Sequence, residues 1–182
     1  MKPEDCCHIF AYGSLMWRPD FEYESSVSAI ITGYHRRLSI ISHHYRGTVE
    51  RPGLVLGLDD GGSCVGVLYK VSPANWPEVL AYIRKRELVS EAYREVVKTV
   101  QLVDQPVSVE AITYVVNHGH PQFFAPQPMA KTLAMIMQGH GMAGSCVDYI
   151  FNTVTHLRGL GIHEAELEML VTHLPVSGRV NP

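Results

Sequence analysis

Two short segments of the sequence carry groups that can do chemistry. The first is Phe10-Ala11-Tyr12-Gly13-Ser14-Leu15-Met16-Trp17, in which an apolar run ends at a glycine. A glycine lets the backbone turn sharply and expose its N–H groups, and such groups bind a carboxylate or an oxyanion. The alternative is a plain loop after an edge strand, and the segment taken alone favours that alternative.

The second segment is Arg84-Lys85-Arg86-Glu87, at the end of a predicted helix. Glu87 follows three cations and precedes the apolar pair Leu88-Val89. A carboxylate at such a place is able to act as a general base. Composition alone favours the alternative, a solvated glutamate at a charged helix end.

Other kinds of active site have little support in the sequence. Its ten histidines include His43-His44 and His118-Gly119-His120, but neither pair has a cysteine or carboxylate at a ligand-like spacing. Ser14 does not lie in a G-x-S-x-G elbow, no G-x-G-x-x-G opens a helix, and Cys64 reads as a small buried apolar residue. We therefore expect no metal and no cofactor.

The bulk composition fits a small globular enzyme. The chain has 182 residues and 46% apolar residues, which predicts a single domain over residues 1–182. The net charge of −3 gives no electrostatic reason to bind nucleic acid or an anionic membrane, so the expected partner is a small molecule. The sequence contains no apolar run of the roughly 20 residues that a membrane helix needs and no signal-peptide pattern near Met1. These features predict a cytoplasmic protein in which Cys6, Cys7, Cys64 and Cys146 are reduced thiols.

The elements that must position these groups follow from periodicity and turn residues. Strands are predicted over residues 8–12, 54–58, 65–71, 93–102 and 107–116, with one or two more within 27–41. Asp59-Asp60-Gly61-Gly62 predicts the turn of a hairpin. Ser72 and Pro73 predict the N-cap and first position of a helix, and Trp76, Val79, Leu80 and Ile83 give it an apolar face to about Arg86.

The last third of the chain is predicted to be mainly helical. Residues 119–128 read as a loop, and residues 129–138, 146–157 and 164–174 show helical periodicity. Gly139-His140-Gly141 and Gly159-Leu160-Gly161 separate these helices. The whole predicts an α+β fold, a small mixed sheet or barrel with a helix inserted and a helical C-terminal part.

At the two segments that carry chemistry, the sequence resembles the ChaC-like γ-glutamyl cyclotransferases, the glutathione-specific branch of their superfamily. The matching stretches occur in order over nearly the whole chain, and together they are specific. They are Phe10-Ala11-Tyr12-Gly13-Ser14-Leu15-Met16-Trp17, Gly33-Tyr34-His35-Arg36-Arg37, Arg46-Gly47-Thr48, Arg51-Pro52-Gly53-Leu54-Val55-Leu56, Gly62-Ser63-Cys64-Val65-Gly66-Val67-Leu68-Tyr69, Arg86-Glu87 with Tyr93-Arg94, and Asp148-Tyr149 opening a helix to Leu157-Arg158. Met16 and Val49 depart from the residues common in the family, and neither carries chemistry.

The resemblance implies a small mixed β-barrel with packed helices and a lyase that degrades glutathione to 5-oxoproline and cysteinylglycine. It implies that the γ-glutamyl group is held by Tyr12, Gly13, Ser14 and Leu15 and that Glu87 is the catalytic general base and acid. Tyr93 and Tyr114 are further candidates for hydroxyl contacts to the substrate. The turn's N–H groups are expected to bind either the α-carboxylate or the oxyanion.

Two alternatives stay open at this point. One is a cyclotransferase that acts on other γ-glutamyl amino acids or amines, decided by residues 88–92, which vary among family members, and by the 119–128 loop. The other is a non-catalytic regulatory or binding protein with the same fold, for which loss of the carboxylate would be the signature. Glu87 is present, although fold alone never fixes function.

Overall fold

The computed structural model describes residues 2–175, and five of its strands close into a barrel. The strands follow the order β1-β3-β2-β4-β5, and β5 pairs back with β1. Their bounds are β1 His8–Ala11, β2 Ser25–Ser42, β3 Gly53–Lys70, β4 Tyr93–Leu102 and β5 Ser108–Val116. The expected α+β fold with a small mixed β-barrel is therefore confirmed.

Four helices complete the described part of the chain. Helix α1 (Trp76–Glu87) lies between β3 and β4 in the sequence, and the C-terminal part contains α2 (Met129–Gln138), α3 (Cys146–Gly159) and α4 (Ala165–His173). A two-stranded ribbon, β6 (His140–Gly141) with β7 (Gly144–Ser145), separates α2 from α3. Helices α2, α3 and α4 agree with the predicted periodicity within two residues at each end, whereas α1 begins three residues after its predicted start at Pro73.

The chain forms two compact units. Within the described residues, the first comprises residues 2–36 and 57–121, and the second comprises residues 37–56 and 122–175. The expectation of one domain over the whole chain stays a prediction. All residues proposed for the active site from the sequence belong to the first unit.

The first unit is organised around alternating strand residues. One face of β1 contributes Phe10 to an apolar cluster that also contains Leu68 and Val115, while Ile9 and Ala11 are buried on the opposite face. Helix α1 buries Trp76, Val79, Leu80 and Ile83, the residues predicted to form its apolar face. The period of two in the strands and of 3.6 in the helix therefore fixes which side of each element is buried.

The second unit has its own buried contacts. Cys146 and Tyr149 on α3 meet residues 54–56: the Leu54 N–H lies 3.3 Å from the Cys146 Sγ, and the Leu56 N–H donates to the Tyr149 hydroxyl at 3.1 Å. The Arg37 guanidinium donates to the Phe124 carbonyl at 2.9 Å. All four cysteines are free, as expected from the sequence.

The predicted hairpin at Asp59-Asp60-Gly61-Gly62 is wrong, because β3 runs through it from Gly53 to Lys70. Gly61 and Gly62 have φ values of 99° and 67°, and glycines in this region bend a strand without reversing it. Leu58 is in register with Val115, and the Asp59 carboxylate accepts a hydrogen bond from the His118 ring at 2.6 Å. Pairing on the barrel therefore overrides the local turn signal.

The predicted cap of α1 is also wrong. The helix begins at Trp76 after Asn75, and Ser72 closes a turn that precedes it. The Ser72 hydroxyl accepts from the Asn75 N–H at 3.2 Å, and the Ser72 carbonyl accepts from the Trp76 N–H at 3.0 Å. The capping chemistry of serine is present, but it stabilises the turn before the helix.

Gly66 on β3 is expected to be essential for packing of the first unit. A Cβ at this position would collide with the Ala11 carbonyl oxygen and lie 2.8 Å from the Phe10 ring. We predict that Gly66→Ala lowers the free energy of unfolding by about 1–3 kcal/mol, because the overpacked backbone must shift. Urea-induced unfolding measures this change.

Gly159→Ala is the matched control, because a Cβ there meets no atom within 4 Å. It should leave the stability unchanged or raise it slightly, since alanine is the better helix former. Equal unfolding free energies for both variants would contradict the packing described for Gly66.

Candidate active site

The turn after β1 is a single 3-10 turn over Ser14–Met16. The Met16 N–H donates to the Gly13 carbonyl at 2.9 Å, and the Arg18 N–H donates to the Ser14 carbonyl at 2.9 Å. A Cβ built on Gly13 would meet no atom within 4 Å. The turn therefore presents its Gly13 side to open space.

Three N–H groups of this turn have no hydrogen-bond partner within the described residues. The first N–H groups of a helical turn have no partner within it. Within residues 2–175, the N–H groups of Gly13, Ser14 and Leu15 donate no hydrogen bond to the protein. Successive free N–H groups attract an anion, and the substrate-binding role predicted for this turn stays a prediction.

Buried polar groups hold the turn from behind. The Tyr69 hydroxyl lies 3.1 Å from the Leu15 carbonyl oxygen and 2.9 Å from that of Met16. Burial raises the pKa of Tyr69 to about 12, so the hydroxyl stays a neutral donor. The Arg36 Nε donates to the Tyr12 carbonyl at 2.5 Å. These contacts fix the backbone that carries the three N–H groups.

Glu87 is the last residue of α1, where the sequence placed it. Its side chain is 20% exposed. Burial raises the pKa of the Glu87 carboxyl, and the positive charge of Arg86 opposes that rise. A carboxyl with a raised pKa can exchange protons closer to neutral pH than an ordinary glutamate.

Arg86 links this carboxylate to the turn. Its Nε lies 3.4 Å from the Glu87 Oε1, and its Nη2 donates to the Ser14 hydroxyl at 3.1 Å. Sequence reasoning treated Arg84 and Arg86 only as charges near Glu87 and did not find this link. The Arg84 guanidinium binds elsewhere, with Nη2 2.6 Å from the Glu95 Oε1 and 3.1 Å from the Glu4 Oε1.

The three tyrosines proposed from the sequence lie in different surroundings. The Tyr12 side chain packs in the apolar cluster with Phe10 and Leu68. The Tyr114 hydroxyl is buried and donates to the Glu95 Oε2 at 3.0 Å. Burial, followed by the Glu95 and Glu87 charges, raises the Tyr114 pKa. Tyr114 therefore lies within the electrostatic reach of Glu87.

Tyr93 begins β4, half-buried and in register with Val116. It shares a face of the strand with Glu95, because side chains alternate along a strand. The structure thus links Ser14 to Glu87 through Arg86, while Tyr12 contributes its backbone at the turn and its ring to the core. The substrate contacts assigned to these tyrosines stay predictions.

A cavity of about 410 Å³ lies among residues that follow the turn and residues of α1. Its lining includes Asp20 and Tyr82, which both contact the Arg86 Nη1, and two further carboxylates, Glu22 and Glu78. Three carboxylates disfavour an anionic ligand, so the turn is the better surface for a carboxylate-bearing substrate.

Two further kinds of feature are absent from residues 2–175. Over that range, no group of three or more His, Cys, Asp or Glu side chains is arranged to hold a metal ion. None of the helices in the same range is long and apolar enough to cross a membrane.

The barrel and the inserted helix define a γ-glutamyl cyclotransferase fold. The chain matches the crystal structure of the γ-glutamyl cyclotransferase specific to glutathione from yeast with a TM-score of 0.81, over 91% of this chain and 93% of that one. At 23% sequence identity, this likeness shows the fold.

The sequence profile of the ChaC-like protein family matches residues 7–176, and the chain belongs to this family. The human glutathione-specific γ-glutamylcyclotransferase 1 is 32% identical over 179 residues, which cover 96% of this chain and 79% of the relative. The glutathione-specific γ-glutamylcyclotransferase of Escherichia coli is 29% identical over 163 residues, which cover 90% and 70%. The resemblance stated from the sequence motifs is therefore confirmed.

The raised pKa of Glu87 determines how the free energy of unfolding should change with pH. A carboxyl whose pKa is raised by folding stabilises the protein fully below its unfolded value of about 4.5. That contribution is lost as the pH rises through the folded pKa. Glutamine cannot ionise, so Glu87→Gln should unfold at higher urea concentration than the wild type at pH 7. This advantage should shrink as the pH falls through the raised folded pKa and be lost below about 4.5.

Glu91→Gln is the matched control, because Glu91 is exposed in the same unit. Its effect on the urea midpoint should be small at every pH. A difference between Glu87→Gln and the wild type that does not change with pH would contradict the raised pKa.

Proposed function

We propose that this chain is a glutathione-specific γ-glutamyl cyclotransferase, which converts glutathione to 5-oxoproline and cysteinylglycine. The observation that carries the proposal is the position of the Arg86 guanidinium. It contacts both the Ser14 hydroxyl, in the turn that follows β1, and the Glu87 carboxylate. Relatives that bear this name and share about a third of their residues with the chain support it. The expectation that the enzyme works in the cytoplasm stays a prediction from the sequence.

The substrate supplies its own nucleophile. The α-amine of the γ-glutamyl group attacks the γ-carbonyl carbon, a five-membered ring closes, and the amide C–N bond breaks. Because both reacting groups belong to one molecule, the protein mainly has to hold a folded conformation, and correct orientation can lower the barrier by several kcal/mol. This explains why the sequence needs no nucleophile motif.

Protons must move at two points of this reaction. The α-amine is an ammonium at neutral pH and attacks only after it loses a proton. Glu87 takes that proton and gives it to the leaving nitrogen, so that cysteinylglycine departs as a neutral amine. The second proton, which the ring nitrogen loses as the amide of 5-oxoproline forms, passes through the same carboxylate to solvent. One carboxyl serves both steps, since both nitrogens approach the same carbon.

Negative charge also has to be stabilised. The substrate carries an α-carboxylate, and the γ-carbonyl oxygen becomes an oxyanion during the attack. The free N–H groups of Gly13, Ser14 and Leu15 provide preorganised donors for one of these groups. Donors that are fixed before the reaction need no reorganisation in the transition state, which is why a rigid turn suits this role.

Replacement of Glu87 tests the catalytic assignment. We predict that Glu87→Gln lowers 5-oxoproline formation from glutathione by at least about 100-fold, the usual contribution of a general acid–base group. Glu166→Gln, which makes the same chemical change at an exposed position of α4, should retain wild-type turnover. Wild-type turnover in a folded Glu87→Gln protein would contradict the assignment.

A comparison of substrates separates glutathione from other γ-glutamyl compounds. The proposal predicts a higher kcat/KM for glutathione than for γ-glutamyl-alanine, measured as 5-oxoproline released. A preference for γ-glutamyl-alanine would favour the broader cyclotransferase, and the absence of product from a panel of γ-glutamyl compounds would favour a non-catalytic protein.

A further inference from the structure

Arg86 is placed to do more than supply a charge at the end of a helix. We propose that Arg86 is a positioning residue, which sets the placement of the Ser14 turn relative to Glu87 and aims the Glu87 carboxylate at the substrate. The proposal rests on the proposed function and adds to it a residue that acts through two others. Its basis is the arrangement of contacts around a single guanidinium.

The guanidinium is anchored along one edge. Its Nη1 donates to the Arg18 carbonyl at 2.8 Å and to the Tyr82 hydroxyl at 3.2 Å, and it lies 3.3 Å from the Asp20 Oδ2. Tyr82 lies one helical turn earlier on α1, whereas Arg18 and Asp20 follow the Ser14 turn in the sequence. These contacts join the helix end to the segment after the turn and prevent the side chain from swinging freely.

The remaining donors point at the two halves of the site. The Nη2 donates to the Ser14 hydroxyl at 3.1 Å, and the Nε lies 3.4 Å from the Glu87 Oε1. A guanidinium is planar, with its N–H donors in a rigid fork. Anchoring one edge of the plane therefore fixes the positions of groups bound to its other donors. A lysine ammonium, which is a point charge on a flexible stem, lacks this property.

The neighbouring cations do not share these contacts. Arg84 is bound to Glu95 and Glu4, and Lys85 is exposed. The groups that interact with the Glu87 charge are Arg86 from α1 and Tyr114 from β5, with Glu95 of β4 bound to Tyr114. Removal of Arg86 thus leaves Glu87 buried without its nearest positive charge.

Three variants separate positioning from charge. Arg86→Gln removes both the positive charge and the planar set of N–H donors, whereas Arg86→Lys keeps only the charge. Lys85→Gln removes a positive charge at the adjacent, exposed position. Circular dichroism and the thermal midpoint first show that each variant is folded. The measurements are kcat, KM, the pH profile of kcat/KM, and an NMR titration of ¹³C-labelled glutamates in which Glu87→Gln identifies the Glu87 signal.

The expected results differ for each variant. Arg86→Gln should lower kcat by about 10- to 100-fold, the scale of a misplacement near 1 Å, and should move the Glu87 titration and the acidic limb of kcat/KM to higher pH. Arg86→Lys should keep the titration near that of the wild type while losing part of kcat. Lys85→Gln should match the wild type in both.

A double-mutant cycle tests the link to the turn. If Arg86 acts through Ser14, the kcat loss of the Ser14→Ala/Arg86→Gln double variant should be smaller than the product of the two single losses. Losses that simply multiply, or equal effects of Arg86→Gln and Lys85→Gln, would overturn the positioning role. Different results would overturn the proposed function and the positioning role of Arg86. Absence of 5-oxoproline from the wild-type enzyme overturns the proposed function, and an unchanged Glu87 titration in Arg86→Gln overturns the contact.

Discussion

The end of β1 and the end of α1 meet at one guanidinium, and the candidate active site depends on that contact. Arg86 reaches the Ser14 hydroxyl on one side and the Glu87 carboxylate on the other. In the proposed mechanism, the turn binds negative charge and the carboxylate at the helix end moves protons. Neither segment is an active site alone, because the reaction needs both at a fixed separation.

The rest of the first unit holds these two ends in place. β1 is paired with β3 on one side and β5 on the other, so the turn leaves a strand that cannot shift along the barrel. The Tyr69 hydroxyl on β3 donates hydrogen bonds to the Leu15 and Met16 carbonyls of the turn. The buried face of α1, with Trp76 and Ile83, fixes the helix. The site is thus built by the barrel and needs few residues of its own.

Glu87 shows how opposing effects tune one group. Burial favours the protonated carboxyl and Arg86 favours the carboxylate, with a net rise of the pKa. A group that must take a proton and return it works best when neither form is strongly preferred at the operating pH. The same burial makes the ionised form of this carboxyl costly for stability, so the role proposed for Glu87 is in conflict with stability.

Local patterns predicted the elements well where packing and local preference agree. The strand Tyr93–Leu102, the helix Met129–Gln138 and the placement of Glu87 at a helix end all follow from periodicity. The hairpin turn predicted at Asp59-Asp60-Gly61-Gly62 was wrong, because strand pairing in the barrel outweighs the local preference of the glycines. The contact between Arg86 and Ser14 could not be predicted from the sequence. The two residues are 72 positions apart, and periodicity carries no information about such a distant contact.

A crystal structure with 5-oxoproline bound is the most direct test of the central claim that the turn and Glu87 form one site. The account predicts that the ring lies between them, with its ring N–H within hydrogen-bond distance of the Glu87 carboxylate and a carboxylate or carbonyl oxygen on the N–H groups of Gly13, Ser14 or Leu15. Binding of 5-oxoproline in the acidic cavity beside Asp20, with Glu87 out of reach, would contradict it.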